Sequence, residues 1–312
     1  MQTYLNGSFL DPDAPALRVE DAGFQHAVGL FETFQVHHGR PFRLDAHLAR
    51  LATSAATLGL AADMATAPLV DAVEQTIRHN GIDRARVRLT VSAGTVSLLK
   101  RDPDAAGPPD AVAVKQTVAI TPQPPTAYDP AFFSDGVTVA IHGPAANPFD
   151  ETAGHKTLNY WQRLRSLRRA AAQGAAEALW LNVSNHLAGG SVSNLLLVKD
   201  GQLLSPYARG EEEPGALPAP VLPGVTRALA FELAPSLGLE GVRRMLTIDD
   251  LLDADEAVLT NSGWGVLPVV RVEKREIGDG EVGPVARALR EGWLATVERE
   301  TSPPAAPGPG PA

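Results

Sequence analysis

Cysteine is absent from the 312 residues, which excludes disulfides, thiol catalysis and thiolate metal sites. No apolar run approaches the roughly 18 to 20 residues that a membrane-spanning helix needs. The N-terminus, MQTYLNGSFLDPD, lacks the basic and apolar regions of a secretory signal. A clustered basic face is missing too, and the net charge of −9 argues against a nucleic-acid partner. No metal site and no membrane partner are expected, and cytoplasm is the default location. Lysine is scarce, with five in the chain. What is present is ordinary for a globular protein, with 44% hydrophobic and 20% charged residues. The length suits two domains or one large one, with a substantial core.

Along the chain, Tyr4-Leu5-Asn6-Gly7-Ser8-Phe9 places Asn-Gly between two short alternating runs, a hairpin signal. A strand is expected at 30–36. Leu44, Leu48, Leu51, Ala55 and Leu58 recur at helical steps, and 69–79 reads as a second helix. The run 86–92, RVRLTVS, alternates as a half-buried strand does. Residues 101–110 read as an exposed loop and 112–120 as a strand. Pro122, Pro124, Pro125 and Pro130 mark the best linker. Beyond it come a strand at 136–141, a helix at 157–172, a strand at 177–182 and a hairpin around Asp200-Gly201. A loop spans 210–220, a helix follows Pro223-Gly224, a strand covers 257–260 and a last helix covers 284–298. Strands and helices mix without strict alternation, so an α+β fold is expected. Its parts would be a smaller domain at 1–120, a linker at 121–135, a larger domain at 136–300 and a disordered tail at 301–312.

Among the lysines, Lys100 opens a charged loop, Lys115 lies mid-strand, Lys199 precedes a hairpin turn and Lys274 belongs to a charge run. Lys156 differs, because it follows a loop and is expected to open an amphipathic helix carrying Tyr160, Leu164 and Leu167. A cation there opposes the helix dipole by a few tenths to about 1 kcal/mol. A lysine made neutral as a Schiff base escapes that cost. A surface lysine whose stem covers apolar area fits the local sequence as well.

Leu222-Pro223-Gly224-Val225-Thr226-Arg227 leads into a helix whose first amides are free to bind phosphate. A plain Pro-Gly helix start accounts for the same residues. Arg50 sits off the Leu44/Leu48/Leu51 stripe, where it serves either as an anion partner or as a solvent-facing arginine.

Taken together and in order, six segments resemble the class IV pyridoxal-phosphate aminotransferases. Leu30-Phe31-Glu32-Thr33 resembles the family's early "GVFET" strand, and His47 to Leu51 its "HLxRL" helix. His155 to Tyr160 resembles the "KxLNY" lysine motif. Gly190 to Asn194 with Asp200-Gly201 resembles "EGSxSN…DG", and Leu222 to Arg227 resembles "LPGITR". Asp255-Glu256, Thr260-Asn261-Ser262 and Pro268-Val269 resemble "ADEvFlTNS…PV". The resemblance covers residues 4 to 298. It implies a two-domain fold with pyridoxal 5′-phosphate in the interdomain cleft, in a homodimer acting on a small amino substrate. Lys156 would form the Schiff base with the cofactor and shuttle the Cα proton. Arg50, the amides of Val225 and Thr226, and Ser262 would hold the phosphate. Tyr160 would lie near the phenolic oxygen, and the Gly263-Trp264 backbone would receive a substrate carboxylate.

The sequence departs from the family at Gly189, where a glutamate usually pairs with the pyridine nitrogen. Losing that charge-assisted hydrogen bond, worth about 1.5–3 kcal/mol, would slow carbanion formation by one to two orders of magnitude, at about 1.4 kcal/mol per tenfold. Ala93-Gly94 stands where D-amino-acid transaminases carry Arg-Gly, and the branched-chain group's "GTAAE" segment is missing. Thr33 matches a substrate-side threonine of the 4-amino-4-deoxychorismate lyase branch. The expected activity is amino-acid transamination or that lyase reaction, with a slight lean to the lyase. The alternative, motivated by Gly189, is a member that has lost catalysis and acts as a binding or structural protein.

Overall fold

A computed structural model describes residues 1–14, 17–95, 116–141 and 146–303. The expected loop at 101–110, Lys100, Lys115 and residues 304–312 of the expected tail lie outside them, as do residues 112–115 of the expected strand. The first hairpin forms between β1 (Thr3–Leu5) and β2 (Ser8–Leu10). Asn6 and Gly7 both take positive φ, 47° and 95°, as a tight primed turn requires. There follow α1 (Ala22–His26), β3 (Gly29–His37), β4 (Arg40–Pro41), α2 (Leu44–Thr57), α3 (Ala67–His79), β5 (Ala85–Ser92) and β6 (Thr117–Gln123). The six strands form one antiparallel sheet in the order β2-β1-β6-β5-β3-β4.

Strand alternation decides what each face of this sheet does. Leu30, Phe34 and Val36 of β3 and Val87, Leu89 and Val91 of β5 pack under Leu48, Leu51 and Ala55 of α2 and Val73 and Ile77 of α3. The intervening residues Phe31, Thr33, Arg86 and Arg88 therefore point to the opposite face. Register sets Thr33 directly across from Arg88 and Gln35 across from Arg86.

The strand β6 ends at Gln123, three residues inside the segment read as linker. After it come α4 (Ala131–Ser134), β7 (Val137–Ile141), α5 (Trp161–Ala172), β8 (Glu177–Leu181), β9 (Leu187–Gly190), β10 (Asn194–Lys199), β11 (Gln202–Ser205), α6 (Val225–Leu233) and β12 (Glu240–Arg243). The chain ends with α7 (Ile248–Leu252), β13 (Glu256–Asn261), β14 (Gly265–Val272), β15 (Arg275–Glu276) and α8 (Pro284–Thr301). Eight of these strands run β12-β11-β10-β13-β14-β7-β8-β9, and β15 pairs on β14. Leu229 and Ala230 of α6 and Leu289, Trp293 and Val297 of α8 pack on Leu196, Val198, Val258 and Val266 of this sheet. The fold is α+β, as expected. No helix among the described residues is long and apolar enough to cross a membrane.

Two expectations are corrected. The last helix runs on to Thr301, which is buried, so the expected tail at 301–312 begins inside a helix. More important, no helix begins at 157. Lys156 sits in an extended segment stitched to β3: Phe31 N–H donates to Lys156 O at 2.9 Å and Leu158 N–H to Gly29 O at 3.0 Å. Those hydrogen bonds commit the backbone of 156–158 to a strand-like rung, so α5 starts only at Trp161. Leu164 is exposed, and α5 buries Ser166 and Ala170 instead of an apolar stripe.

Candidate active site

A cavity of about 340 Å³ lies against the inner face of the first sheet and is closed by the C-terminal segments. Its lining includes Thr33, Arg50, Lys156, Tyr160, Val225, Thr226 and Ser262, so the residues given catalytic or cofactor-binding roles from the sequence reach one space. Lys156 Nζ stands 4.5 Å from the Phe31 ring centroid and 5.7 Å from that of Tyr160. Burial pushes the Tyr160 phenol up, but the Lys156 and Arg163 cations outweigh it and hold the phenol below its ordinary value.

Arg50 projects from α2 under the cavity floor. Its Nε and Nη2 donate to the Glu32 carboxylate at 2.8 and 2.5 Å, and its Nη1 donates to Pro223 O at 2.9 Å. His47 Nδ1 lies 2.8 Å from the same carboxylate, and its Nε2 faces Ser262 Oγ at 3.4 Å. Glu32 is fully buried; burial opposes its ionisation, yet Arg50 and His47 together hold it down at about 2. His47 is itself pushed down by burial, which Glu32 only partly offsets, so a neutral imidazole is favoured.

Gly224 caps α6, and among the described residues no side chain makes a capping hydrogen bond to its first turn. A Cβ on Gly224 would collide with Asn194 Oδ1, so only glycine fits this turn. Asn194 Nδ2 donates to Leu222 O at 2.8 Å and fixes the loop. Arg227 turns away from the cavity to bind Ser205, Pro206 O and Glu211. Thr260 Oγ1 is buried with no protein partner among the described residues and lines the same space. Free helix amides, a fixed guanidinium and two hydroxyls make an anion cradle beside one lysine. That donor set fits a phosphorylated aldehyde cofactor.

The Gly263 and Trp264 amides, expected to receive a substrate carboxylate, already donate to Asn261 Oδ1 at 2.8 and 3.0 Å. The sequence reading missed three arginines. Arg86 and Arg88 line the cavity from β5, and Arg163 lines it from α5. Alternation in RVRLTVS carried the signal for the first two, since both fall on the face opposite Val87 and Leu89. Arg88 lies over the Phe31 ring at 3.6 Å, and burial pushes it below the usual guanidinium range. Among the described residues it donates only to Thr90 Oγ1, at 3.2 Å, and Arg86 to Gln123. His155 also lines the cavity; burial, with Arg209 nearby, pushes it down to about 4.

The model of the class IV aminotransferase family matches residues 29–272. The chain belongs to that family. Class IV aminotransferases are pyridoxal-phosphate enzymes. A putative branched-chain-amino-acid aminotransferase of Methanocaldococcus jannaschii is 30% identical over 292 residues, 93% of this chain and 94% of that one. A hypothetical aminotransferase from Mycobacterium tuberculosis, solved in its pyridoxal-phosphate-bound form, superposes with a TM-score of 0.78 at 25% identity, covering 96% and 100% of the two chains. The 4-amino-4-deoxychorismate lyase of Pseudomonas aeruginosa gives 0.77 at 28%, covering 93% and 97%. The relatives of this class IV aminotransferase therefore include both reaction types named from the sequence.

Proposed function

We propose that the protein transfers an amino group between an amino acid and a 2-oxo acid, with pyridoxal phosphate held on Lys156. One observation carries the reading: Lys156, the Arg50–α6 anion cradle and the Arg86/Arg88 face share one cavity. When bound, the cofactor supplies an electrophilic carbon for the substrate amine and withdraws electrons from the bonds at Cα. Lys156 holds the cofactor and then moves the Cα proton. Arg50, the Val225 and Thr226 amides and Ser262 would hold the phosphate, and Tyr160 would stand by the phenolic oxygen. Among the described residues, Arg86 and Arg88 have no carboxylate partner in their hydrogen bonds. They suit a substrate with an acidic group beyond the one at Cα, such as glutamate and 2-oxoglutarate.

A second reading is the lyase that releases pyruvate from 4-amino-4-deoxychorismate, which also carries carboxylates. Thr33 favours it, because its side chain faces the cavity across from Arg88. Thr33 would then touch the substrate. Measuring pyruvate release from aminodeoxychorismate beside amino transfer to 2-oxoglutarate separates the two. Pyridoxal phosphate added to the protein should give an absorption band that Lys156→Ala abolishes. No band in the parent protein would sink both readings and leave a binding or structural role. A homodimer in the cytoplasm, with domains at 1–120 and 136–300 joined by 121–135, completes the proposal; sedimentation and limited proteolysis test the assembly and the division.

A further inference from the structure

We infer that Arg163, in place of a carboxylate, faces the pyridine nitrogen of the cofactor and keeps that nitrogen unprotonated. The inference rests on the pyridoxal-phosphate reading above and concerns how the ring is tuned. Among the described residues lining the cavity, none is acidic, while Arg50, Arg86, Arg88, Lys156 and Arg163 all reach it. Gly189 stands where the family resemblance implies a glutamate that meets the nitrogen. Its φ of +83° strains any side chain placed there, and Ser193 O, 3.0 Å from an added Cβ, would have to give way.

Arg163 occupies the wall that follows Gly189. Its Nη1 donates to Gly190 O and to Ser191 O, both at 3.2 Å. Its guanidinium lies 5.1 Å from the Trp180 ring centroid and 5.7 Å from that of Tyr160. The two carbonyls are fixed from behind by Glu177. The amides of the same two peptide units, Ser191 N–H and Val192 N–H, each donate to the Glu177 carboxylate at 3.1 Å. Ser191 N–H is shared with Ala178 O at 3.0 Å, and Ser193 Oγ and Ala178 N–H also bind the carboxylate, each at 2.8 Å. Each peptide dipole thus points its oxygen at the guanidinium and its N–H at the anion. Glu177 is buried, does not line the cavity, and sits 2.8 Å from where a Gly190 Cβ would be. The carboxylate behind this wall is spent on holding the arginine in place.

In pyridoxal phosphate the ring nitrogen lies across the ring from the aldehyde carbon. With the aldehyde at Lys156 and the phosphate on Arg50 and α6, the nitrogen would point away from the lysine, and the Gly190–Ser191 wall that holds Arg163 would receive it. A guanidinium has five N–H donors and no acceptor, so it can bind a lone pair and cannot bind an N–H. Its fixed charge also disfavours a second cation beside it. Lys156 stands on the far side of the Tyr160 ring, Arg50 acts on the same phenol, and Glu177 lies behind the peptides that Arg163 binds. An unprotonated ring withdraws less electron density from Cα, so Lys156 receives less help in moving the proton than in relatives with the glutamate.

The test uses the holoprotein loaded with pyridoxal phosphate labelled at the ring nitrogen, and reads that nitrogen's NMR shift across the pH range of the folded state. The expected parent signal is that of an unprotonated pyridine. Arg163→Gln should raise the nitrogen's pKa by about one to three units, and Arg163→Lys should keep it near the parent value. A protonated parent signal overturns the inference, and so does a signal that Arg163→Gln leaves unmoved. If Arg163→Gln fails to fold, the parent signal alone decides. Absence of a cofactor absorption band overturns the pyridoxal-phosphate reading itself, a different failure.

Discussion

The two ends of the cavity handle buried charge in opposite ways. At the α6 end, Glu32 meets Arg50 and His47 directly, and the network presents donors to an incoming anion with its own charges balanced. At the wall after Gly189, Glu177 meets, among the described residues, amides and a hydroxyl, and the cation it supports lies beyond two peptide planes. The first arrangement stabilises ionised pairs. The second leaves a carboxylate whose burial outweighs its donors, so it is pushed above its ordinary range, while Glu32 is held far below. Two buried glutamates at one site thus titrate in opposite directions because only one touches a cation.

Substitutions sharpen this contrast. Glu32→Gln should have the largest effect, since it strands Arg50 in a buried pocket; a loss of about 3–5 kcal/mol is expected in denaturant unfolding. Its acid dependence follows from the depressed carboxyl. Glu32 contributes fully above its ordinary value of 4.5 and loses that contribution as pH falls towards about 2, in all about 3 kcal/mol. The variant should lack that part of the acid slope; an unchanged slope would count against a direct Glu32–Arg50 pair.

Arg88→Met comes next. With a guanidinium removed that has no carboxylate partner among the described residues, KM for a dicarboxylic substrate should rise about 10- to 100-fold, and KM for a monocarboxylic one should hardly move. Equal losses on both would mean that Arg88 shapes the cavity without reading the second acid. Glu177→Gln should cost less than Glu32→Gln, about 1–3 kcal/mol of stability, because an amide returns only part of the acceptor capacity. Its pH effect has the opposite sign to that of Glu32. A raised carboxyl binds its proton more tightly in the folded state, so the Glu177 contribution improves as pH falls through the folded value. Unfolding of the variant should therefore lose a stabilising trend towards acid, and the same trend in both proteins would break the comparison.

Much of this was legible in the sequence because local rules and tertiary packing agreed. Asn6-Gly7, the α2 stripe and the alternation of β3 and β5 each specified an element without help from distant residues. The Lys156 segment was not legible, since helix periodicity from Tyr160 onward said nothing about the partners that hold 156–158 extended. β9, with Gly189 and Gly190, carried no strand propensity and exists because its neighbours pair with it. Lys156, Arg50 and the α6 turn were visible as motifs. Arg163 was not, because on a helix with charges on most faces only the fold says which arginine turns inward. Glu177 was likewise an unremarked first residue of a strand.

The rung that ties Lys156 to β3 also bears on how this protein can change over evolutionary time. The amides of Phe31 and Leu158 lock the lysine's backbone to a strand more than a hundred positions away in the chain. A slip of one position along that seam would turn the amine to the opposite face and empty the site of it. Side chains beside the seam are free to vary, whereas an inserted or deleted residue between 156 and 158 is not tolerated. Divergence here should therefore proceed by replacement at constant length.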